Sequence, residues 1–248
     1  MSRSPKRQMA ELSRLEKEIL HEHFGYGDGY TEAVKKVESG EPLAYVIGEW
    51  YFYGLTFKLN SACLIPRPDT EHIVDAAISR IPRGGRFADL CTGSGCITVS
   101  VLKNRSDLSG EGYDISEDAL LMAKENAALN GVNASFSRLD VLGAEPEKEI
   151  YDAVVSNPPY IKSSVIPTLD TVQREPMAAL DGGEDGLVFY REIVRRYKPS
   201  LKENGIFIFE IGYDQGEDIR LIAFENGLSC EVTKDYGGND RVAVLCKK

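Results

Sequence analysis

The chain has 248 residues and a formal net charge of −10, from 29 Lys and Arg against 39 Asp and Glu. A hydrophobic fraction of 42% argues against a disordered protein, and a chain of this length buries a core without disulfides or a structural metal. The acidic balance disfavours a protein that binds duplex nucleic acid, because such affinity depends on Lys and Arg at the phosphates. The net charge does not exclude a local basic patch.

The cysteines and the hydropathy pattern indicate the compartment of the protein and argue against metal and membrane sites. Five scattered cysteines form no C-x-x-C pair and accompany only three histidines. This argues against a zinc site and for buried thiols in a reducing cytosol. No apolar run approaches the roughly 20 residues that span a bilayer. We therefore predict a cytoplasmic protein without a metal site or a membrane segment.

The first 60 residues predict two helices and a β-hairpin. Apolar residues recur at helical spacing within residues 8–23. A second helix is predicted with Thr31 as its cap and Gly40 as its stop. Aromatic and β-branched residues over 45–59 predict a hairpin that turns at Gly54.

Strands and helices alternate in the rest of the chain. Pro68 predicts a helix start, capped by Asp69 or Thr70, and Ser116 caps a helix that stops at Gly131. The alternation indicates a parallel, doubly wound α/β sheet, and the short last loop indicates an antiparallel strand at its end. The predicted strands are Arg86–Leu90, Glu111–Tyr113, Ser135–Leu139, Tyr151–Ser156, Gly205–Ile211, Ser229–Lys234 and Arg241–Cys246; the other helices are Cys96–Lys103, Leu187–Tyr197 and Asp214–Asn226.

A glycine loop, Cys91-Thr92-Gly93-Ser94-Gly95, lies between the first of these strands and the helix after it. Glycines there let the backbone approach a ligand at the helix N-terminus. A lone G-x-G is also the signature of a tight strand–helix turn. The dinucleotide fingerprint lacks its third glycine here, because Thr98 stands in that place.

Three acids favour a cofactor other than a dinucleotide. Asp89 precedes the loop, where it would repel a pyrophosphate but pair with an ammonium group. Asp114 ends the second strand, in the place of a partner for a ribose diol, and Asp140 ends the third. Ligands of open α/β sheets bind beyond the carboxyl ends of the strands, so the three acids converge on one crevice. We therefore predict that the cofactor is S-adenosylmethionine, a nucleoside with a cationic amino-acid tail.

The segment Asn157-Pro158-Pro159-Tyr160 directly follows the fourth strand. Two prolines fix the backbone and remove two N–H donors, so the carbonyls there have no competing donors. Asn157 adds a side-chain carbonyl, and Tyr160 adds a flat ring and a hydroxyl. Alone, the tetrapeptide is equally a rigid turn. After the glycine loop and the acids, it predicts a clamp for a planar amino group.

These motifs resemble the HemK-type protein-(glutamine-N5) methyltransferases, which modify a glutamine of peptide chain release factors. The resemblance runs from about Gly40 to the end of the chain. NPPY alone is shared with adenine-N6 and guanine-N2 methyltransferases, whereas IPRPDTE together with REPMAAL narrows the resemblance to the glutamine enzymes. The segments that carry it are GEPLAYVIGEWYFYG, LIPRPDTE, DLCTGSGCI, SNPPYI, REPMAAL at 174–180 and DYGGNDRV at 235–242.

The resemblance implies a seven-stranded Rossmann-like methyltransferase sheet behind a small helical region. We expect a helical substrate-docking region over 1–43, shorter than this family usually has, a β-hairpin linker over 44–60 and the methyltransferase domain over 61–248. The implied catalytic residues are Asn157, Pro158 and Tyr160, and Pro159 joins them in binding the substrate. The implied cofactor-binding residues are Asp89, Cys91, Thr92, Gly93, Ser94, Gly95, Asp114, Asp140, Val141 and Asn157.

Two alternatives remain open at this point. A methyltransferase for adenine or guanine in nucleic acid is disfavoured by the acidic composition, and a non-catalytic cofactor-binding scaffold by the intact NPPY. We predict a release factor as protein partner, no nucleic-acid or membrane partner, and a monomer. The family match makes Arg67 and Thr70 candidate neighbours of the cofactor. Glu175 is compatible both with a substrate channel and with a surface loop.

Overall fold

The computed structural model describes residues 12–169, 172 and 174–247. In this part of the chain, three short helices and a two-stranded hairpin precede a seven-stranded sheet with helices on both faces. The helices are α1 Arg14–Phe24, α2 Asp28–Glu38, α3 Leu43–Ile47, α4 Glu71–Arg80, α5 Cys96–Asn104, α6 Glu117–Leu129, α7 Val188–Tyr197 and α8 Gly216–Glu225. The strands are β1 Glu49–Phe52, β2 Leu55–Lys58, β3 Arg86–Leu90, β4 Ser109–Asp114, β5 Ser135–Arg138, β6 Tyr151–Ser156, β7 Leu201–Glu210, β8 Leu228–Lys234 and β9 Asp240–Lys247.

The large sheet has the strand order β5-β4-β3-β6-β7-β9-β8, and β9 runs in the direction opposite to the other six strands. Leu90 pairs with both Tyr113 and Ser156, and Ser156 pairs with Phe209. The carboxyl ends of β3, β4, β6 and β7 therefore meet at one edge. The predicted seven-stranded sheet with an antiparallel last strand is confirmed.

The two faces of the sheet bury two separate cores because side chains alternate along each strand. In β3, Phe87 packs into the cluster formed with α4, α5 and α6. Its neighbour Ala88 packs into the cluster formed with α7 and α8. Both side chains are fully buried. The doubly wound arrangement thus follows from strands that are apolar on both faces.

The N-terminal helices form a small cluster of their own, built on Leu12, Leu20 and Ala33. Ser13 begins α1 with a capping box to Glu16; the predicted start of this helix, at residues 8–11, lies outside the described residues. The predicted cap at Thr31 is wrong. Helix α2 begins earlier, after Gly27, and the Thr31 hydroxyl donates a hydrogen bond back to the carbonyl of that glycine.

The hairpin is shorter than predicted. Residues 45–47 belong to α3, which begins after Pro42 and ends at Gly48 with a left-handed φ of 81°. Strands β1 and β2 then turn at Tyr53 and Gly54, whose φ values of 51° and 72° match a tight hairpin turn. The predicted turn at Gly54 is confirmed, and the strand prediction for 45–47 is wrong.

Neither predicted cap of α4 caps it with its side chain. Pro68 begins a 3₁₀ turn over Pro68–Thr70, and α4 continues from it. Thr70 stands at the N-cap position, but its side chain makes no hydrogen bond to the helix backbone. Its Oγ1 accepts a hydrogen bond from the Asn157 side chain after β6 instead, and Thr70 lines the cavity described next.

Candidate active site

A cavity of about 570 Å³ lies at the edge of the sheet where the parallel strands end. This volume lies within the range of about 300–1,000 Å³ that is typical of small-molecule sites. Segments after β3, β4, β5 and β6 all contribute to its wall. The predicted site residues in the wall are Cys91, Thr92, Gly93, Ser94, Asp114, Val141, Asn157 and Pro159. The predicted site residues that do not form part of the wall are Asp89, Gly95, Asp140, Pro158 and Tyr160.

The glycine loop between β3 and α5 uses left-handed backbone at Cys91, Gly93 and Gly95, with φ values of 61°, 54° and 76°. A Cβ placed on Gly93 would meet nothing within 4 Å, whereas one on Gly95 would lie 3.0 Å from Cβ of Ala123. Gly93 therefore leaves open space at the cavity, and Gly95 allows the loop to pack closely against α6.

Asp114 connects the loops that follow β3 and β4. Its Oδ2 accepts a hydrogen bond from the Gly93 N–H at 2.9 Å, and its Oδ1 accepts one from the Ser116 N–H, also at 2.9 Å. Each carboxylate oxygen has a further lone pair. Because Asp114 also lines the cavity, it can hold the glycine loop and still accept hydrogen bonds from the hydroxyls of a ligand.

Asp89 is completely buried beneath the loop. Its Oδ2 accepts hydrogen bonds from the hydroxyls of Thr92 and Thr98, both at 2.7 Å. Oδ1 has no hydrogen-bond partner among the described atoms. Burial raises the pKa of Asp89 to about 6, and the two threonine hydroxyls oppose this rise. Thr98, the departure from the dinucleotide fingerprint, thus supports a buried acid.

Asp140 uses its carboxylate within its own loop. Oδ1 accepts a hydrogen bond from the Leu142 N–H at 3.0 Å, and the Asp140 carbonyl accepts from the N–H of Gly143. Leu139, Val141 and Leu142 line the cavity. The wall after β5 is therefore apolar, and Asp140 shapes the turn that presents it.

Asn157 is the polar side chain at the end of β6 that faces the cavity. Its Nδ2 donates a hydrogen bond to Oγ1 of Thr70 at 3.3 Å, and no described residue donates one to its Oδ1. Tyr160 contacts β7 instead: its hydroxyl donates to Oε1 of Glu210 at 3.5 Å. The Tyr160 carbonyl accepts a hydrogen bond from Nε2 of Gln215 at 3.1 Å. Tyr160 and Gln215 thus anchor the segment, while Asn157 stays available to a ligand.

Glu210, at the end of β7, is a buried acid that the motifs did not indicate. Its Oε2 has no hydrogen-bond partner among the described atoms. Burial raises its pKa to about 7, and the Thr70 hydroxyl and the positive charge of Arg241 oppose the rise. The available sequence signal is a single acid at the end of the apolar run Ile206–Phe209.

Glu175 is neither a channel residue nor part of a surface loop. Its side chain is 1% exposed and forms an ion pair with Arg67. Its Oε2 also accepts a hydrogen bond from the Ile65 N–H at 3.0 Å. Pro176, Ala178 and Pro66 line the cavity on either side of this contact. Arg67 and Glu175 therefore join two segments of the cavity wall.

Asn126, in α6, links the hairpin to the glycine loop. It is completely buried, and its Oδ1 accepts a hydrogen bond from the Lys58 N–H at 2.7 Å. Its Nδ2 donates to the carbonyls of Lys58 at 3.1 Å and Ser94 at 2.9 Å. One turn later, Asn130 donates to the carbonyl of Thr56 at 2.9 Å. We call Lys58, Asn126 and Ser94 the asparagine bridge.

Across the described ranges, no group of three or more His, Cys, Asp or Glu side chains is arranged to hold a metal ion. No helix in that part of the chain combines the length and apolar composition needed to cross a bilayer.

The strand order, the glycine loop and the cavity define a methyltransferase domain. Residues 71–203 match the methyltransferase small domain family. The chain also resembles the solved structure of M. jannaschii TYW2 in complex with AdoMet, with a TM-score of 0.53 and 18% identity. That match covers 80% of this chain and 84% of the other, and at this identity it supports the fold alone.

Two curated relatives narrow the class. The release factor glutamine methyltransferase of Thermodesulfovibrio yellowstonii is 42% identical over 215 residues, which cover 84% of this chain and 77% of the relative. That of Agrobacterium fabrum is 43% identical over 218 residues, covering 84% and 75%. The chain belongs to the family of release factor glutamine methyltransferases, and the resemblance seen in the sequence is confirmed.

Proposed function

We propose that this chain transfers a methyl group from S-adenosylmethionine to the side-chain amide nitrogen of a glutamine in a peptide chain release factor. One observation carries the proposal. Asn157 lines the same cavity as the glycine loop and Asp114, and its Nδ2 is already engaged by Thr70. Its Oδ1 is therefore the atom available to accept a hydrogen bond from a substrate amide.

The cavity fits the proposed cofactor by its shape and its donor set. Gly93 leaves space where a Cβ would project, and Asp114 retains lone pairs for the two hydroxyls of a ribose. The apolar wall formed by Leu139, Val141 and Leu142 suits a flat base. When bound, S-adenosylmethionine supplies an electrophilic methyl group on a sulfonium.

The chain's own contribution is to orient a weak nucleophile. An amide nitrogen is a poor nucleophile because its lone pair is delocalised into the carbonyl. Hydrogen bonds accepted by Asn157 Oδ1 and by the Pro158 carbonyl would hold both N–H groups and direct the nitrogen toward the methyl group. The same acceptors stabilise the positive charge that develops on the nitrogen. The proton released after transfer then passes to solvent.

We assign substrate docking to the helical region before the hairpin and linkage to the hairpin itself. Two observations support this division. The helices α1 to α3 bury a cluster separate from the two cores of the large sheet. Arg174, in the segment that also contributes Pro176 to the cavity wall, donates a hydrogen bond to the Ser39 carbonyl at 3.2 Å. A cytoplasmic location follows from a release-factor substrate.

The test is transfer of a labelled methyl group to purified release factor, with tRNA, rRNA and DNA assayed in parallel. We expect label in the release factor alone, at a glutamine that peptide mass spectrometry identifies. Asn157→Ala, assayed at matched cofactor occupancy, is the control for label that arises without the site. Label in nucleic acid would support the nucleic-acid alternative. Cofactor binding without transfer to any substrate would support the scaffold.

A further inference from the structure

Two polar side chains lie in the part of the cavity wall that follows β6. Among the described wall residues beyond that strand, these are Asn157 and Asp181, and the others are Pro, Ala, Gly, Val and Phe residues. The proposed function uses Asn157 to bind the substrate amide. It gives no role to Asp181, although this carboxylate lines the same cavity.

Asp181 belongs to a segment that runs beside the NPPY segment. It forms a parallel β-bridge with Ile161. The Ile161 N–H donates a hydrogen bond to the Leu180 carbonyl at 3.0 Å, and the Ile161 carbonyl accepts one from the Gly182 N–H at 2.9 Å. The two segments approach closely, since a Cβ on Gly182 would lie 2.7 Å from Cα of Tyr160. The backbone at Asp181 is therefore fixed relative to the NPPY segment.

The two carboxylate oxygens of Asp181 have different surroundings. Oδ1 accepts a hydrogen bond from the Ser163 hydroxyl at 2.6 Å and another from the Gly183 N–H at 2.9 Å, whereas no described residue donates to Oδ2. These two hydrogen bonds lower the pKa of Asp181, so the side chain is ionised at neutral pH. Because Asp181 lines the cavity, Oδ2 is a charged acceptor that is available to a ligand.

Asp185, four residues later, shows how a similar aspartate is satisfied within the protein. Its Oδ1 accepts a hydrogen bond from the Leu187 N–H at 3.0 Å, two residues ahead, as Oδ1 of Asp181 does from Gly183. Its Oδ2 forms an ion pair with Arg191 at 2.6 Å, and Asp185 does not line the cavity. The turn thus accounts for one oxygen of each aspartate. Oδ2 of Asp181 is the oxygen that neither the turn nor an ion pair explains.

A glutamine that reaches Asn157 brings its own main chain to this part of the wall. Main-chain N–H groups that leave water on docking need acceptors, because a buried donor without a partner is costly. The acceptors of the NPPY segment are used for the side-chain amide, so Asp181 is the polar side chain that remains there.

We propose that Asp181 is a substrate-binding residue whose Oδ2 accepts a hydrogen bond from a main-chain N–H at the target glutamine or directly beside it. The proposal rests on the proposed function, because it concerns the same protein substrate. In this role Asp181 holds the substrate chain, while Asn157 holds the reacting amide.

The first experiment compares Asp181→Asn with Asp185→Asn. In Asp181→Asn the Ser163 hydroxyl and the Gly183 N–H still require an acceptor and hold the amide oxygen, so an NH₂ group replaces Oδ2 and meets the substrate N–H as a second donor. We expect kcat/KM for release factor, measured at saturating cofactor, to fall by about 10-fold, as for one hydrogen bond to a charged group. The Kd for S-adenosylmethionine should not change.

Asp185→Asn is the matched control, because it removes a carboxylate from the same segment and should keep the kcat/KM of the parent. Equal kcat/KM in Asp181→Asn and the parent, or equal losses in the two variants, would overturn the proposal. A loss that appears only at low cofactor concentration would assign Asp181 to the cofactor and would overturn it as well.

The second experiment changes the substrate instead of the enzyme. Release factors with one main-chain amide replaced by an ester, at the target glutamine or at either neighbour, lack one N–H each. At one of these positions the ester should lower kcat/KM of the parent by about 10-fold and that of Asp181→Asn much less, which is a coupling between the two changes. Uncoupled losses at all three positions would overturn the proposal, and they are expected if Asp181 binds a cationic side chain instead.

The proposed function and the role of Asp181 fail in different ways. If the parent transfers no methyl group to release factor, the proposed function is wrong and the role of Asp181 falls with it. If the parent transfers the methyl group and the ester losses are uncoupled from Asp181, the proposed function stands and the role of Asp181 alone is wrong.

Discussion

Two buried acids contact the segments that follow β3 and β6, and they are held very differently. Asp89, under the glycine loop, accepts two hydroxyl hydrogen bonds of 2.7 Å. Glu210, behind the amide clamp, receives the Tyr160 hydroxyl only at 3.5 Å. In both acids one carboxylate oxygen lacks a hydrogen-bond partner among the described atoms. Burial raises both pKa values, to about 6 for Asp89 and about 7 for Glu210.

The difference distinguishes the half of the site that the proposed function assigns to the cofactor from the half that it assigns to the substrate. Two short hydrogen bonds from threonines stabilise the charged form of Asp89, so its pKa stays below neutrality despite complete burial. Glu210 has weaker support and titrates near neutral pH. The charged form of the acid in the proposed cofactor half is thus stabilised by shorter hydrogen bonds than that of the acid in the proposed substrate half.

The largest expected effect comes from breaking the substrate half. Asn157→Ala removes the acceptor whose hydrogen bond strengthens as charge develops on the nitrogen. We expect methyl transfer to fall by about 10²–10³-fold, the scale of losing one preorganised electrostatic partner. Single-turnover assays with saturating cofactor measure this rate. Calorimetry on the same variant should show nearly unchanged cofactor affinity. A transfer rate equal to that of the parent would show that the NPPY segment is only a rigid turn.

The stability of the folded chain should distinguish the two acids by pH. A buried acid whose pKa is higher in the folded than in the unfolded chain keeps its proton to a higher pH in the folded state. Its contribution to the free energy of unfolding is therefore lost as pH rises from the unfolded pKa to the folded pKa. For Glu210 the interval runs from 4.5 to about 7, and for Asp89 from 3.8 to about 6. Each corresponds to a loss on the order of 3 kcal/mol.

Urea unfolding at a series of pH values measures these losses. The free energy of unfolding of the parent should decline as pH rises. We expect Glu210→Gln to remove the part of this decline that extends toward pH 7. Asp89→Asn should remove the part that ends near pH 6. Identical pH dependence in the two variants would show that the acids do not differ as described.

The cofactor half is tested by Asp114→Ala. The substitution removes a carboxylate that lines the cavity and accepts from Gly93 and Ser116. We expect cofactor binding to weaken by about 1.5–3 kcal/mol, the range for hydrogen bonds to a charged group. Calorimetry on the folded variant measures it. Unchanged affinity would exclude Asp114 from the ribose position.

The smallest expected effect concerns the asparagine bridge, with a matched control one helical turn away. Asn126→Ala breaks contacts to both the hairpin and the glycine loop. Asn130→Ala breaks one contact to the hairpin and one to the Asn126 carbonyl, and none to the glycine loop. Asn126→Ala should weaken cofactor binding by about 1 kcal/mol, the net worth of a typical hydrogen bond. Asn130→Ala should leave the affinity at the parent value. Equal affinities in the two variants would limit Asn126 to a structural role.

Much of the fold follows from local patterns. Strand β6 is predicted at its observed bounds because its apolar run stops abruptly at Asn-Pro-Pro. The prediction fails for α3, where β-branched and aromatic residues suggest a strand. There, Pro42 and Gly48 delimit one short helical segment that packs against α1 and α2. Tertiary packing overrides propensity in so short an element.

The site is predictable only where a motif is continuous in sequence. The loop at Gly93 and the segment at Asn157 both line the cavity as expected. Glu210 carries no such motif, because its contact with Tyr160 joins residues far apart in the chain. Glu175 likewise pairs with Arg67, 108 residues away. Pairings of this kind form only when the chain has folded, and they leave no local periodicity in the sequence.

The asparagine bridge has a thermodynamic consequence. Because Asn126 bonds Lys58 and Ser94 at once, the hairpin and the glycine loop cannot shift independently without breaking a buried hydrogen bond. Two binding events that act on the two ends of such a link share a coupling free energy, and that energy is the same in both directions. If cofactor occupancy changes the affinity for a protein docked on the helical region that the hairpin links to the domain, that protein must change the affinity for the cofactor by the same factor.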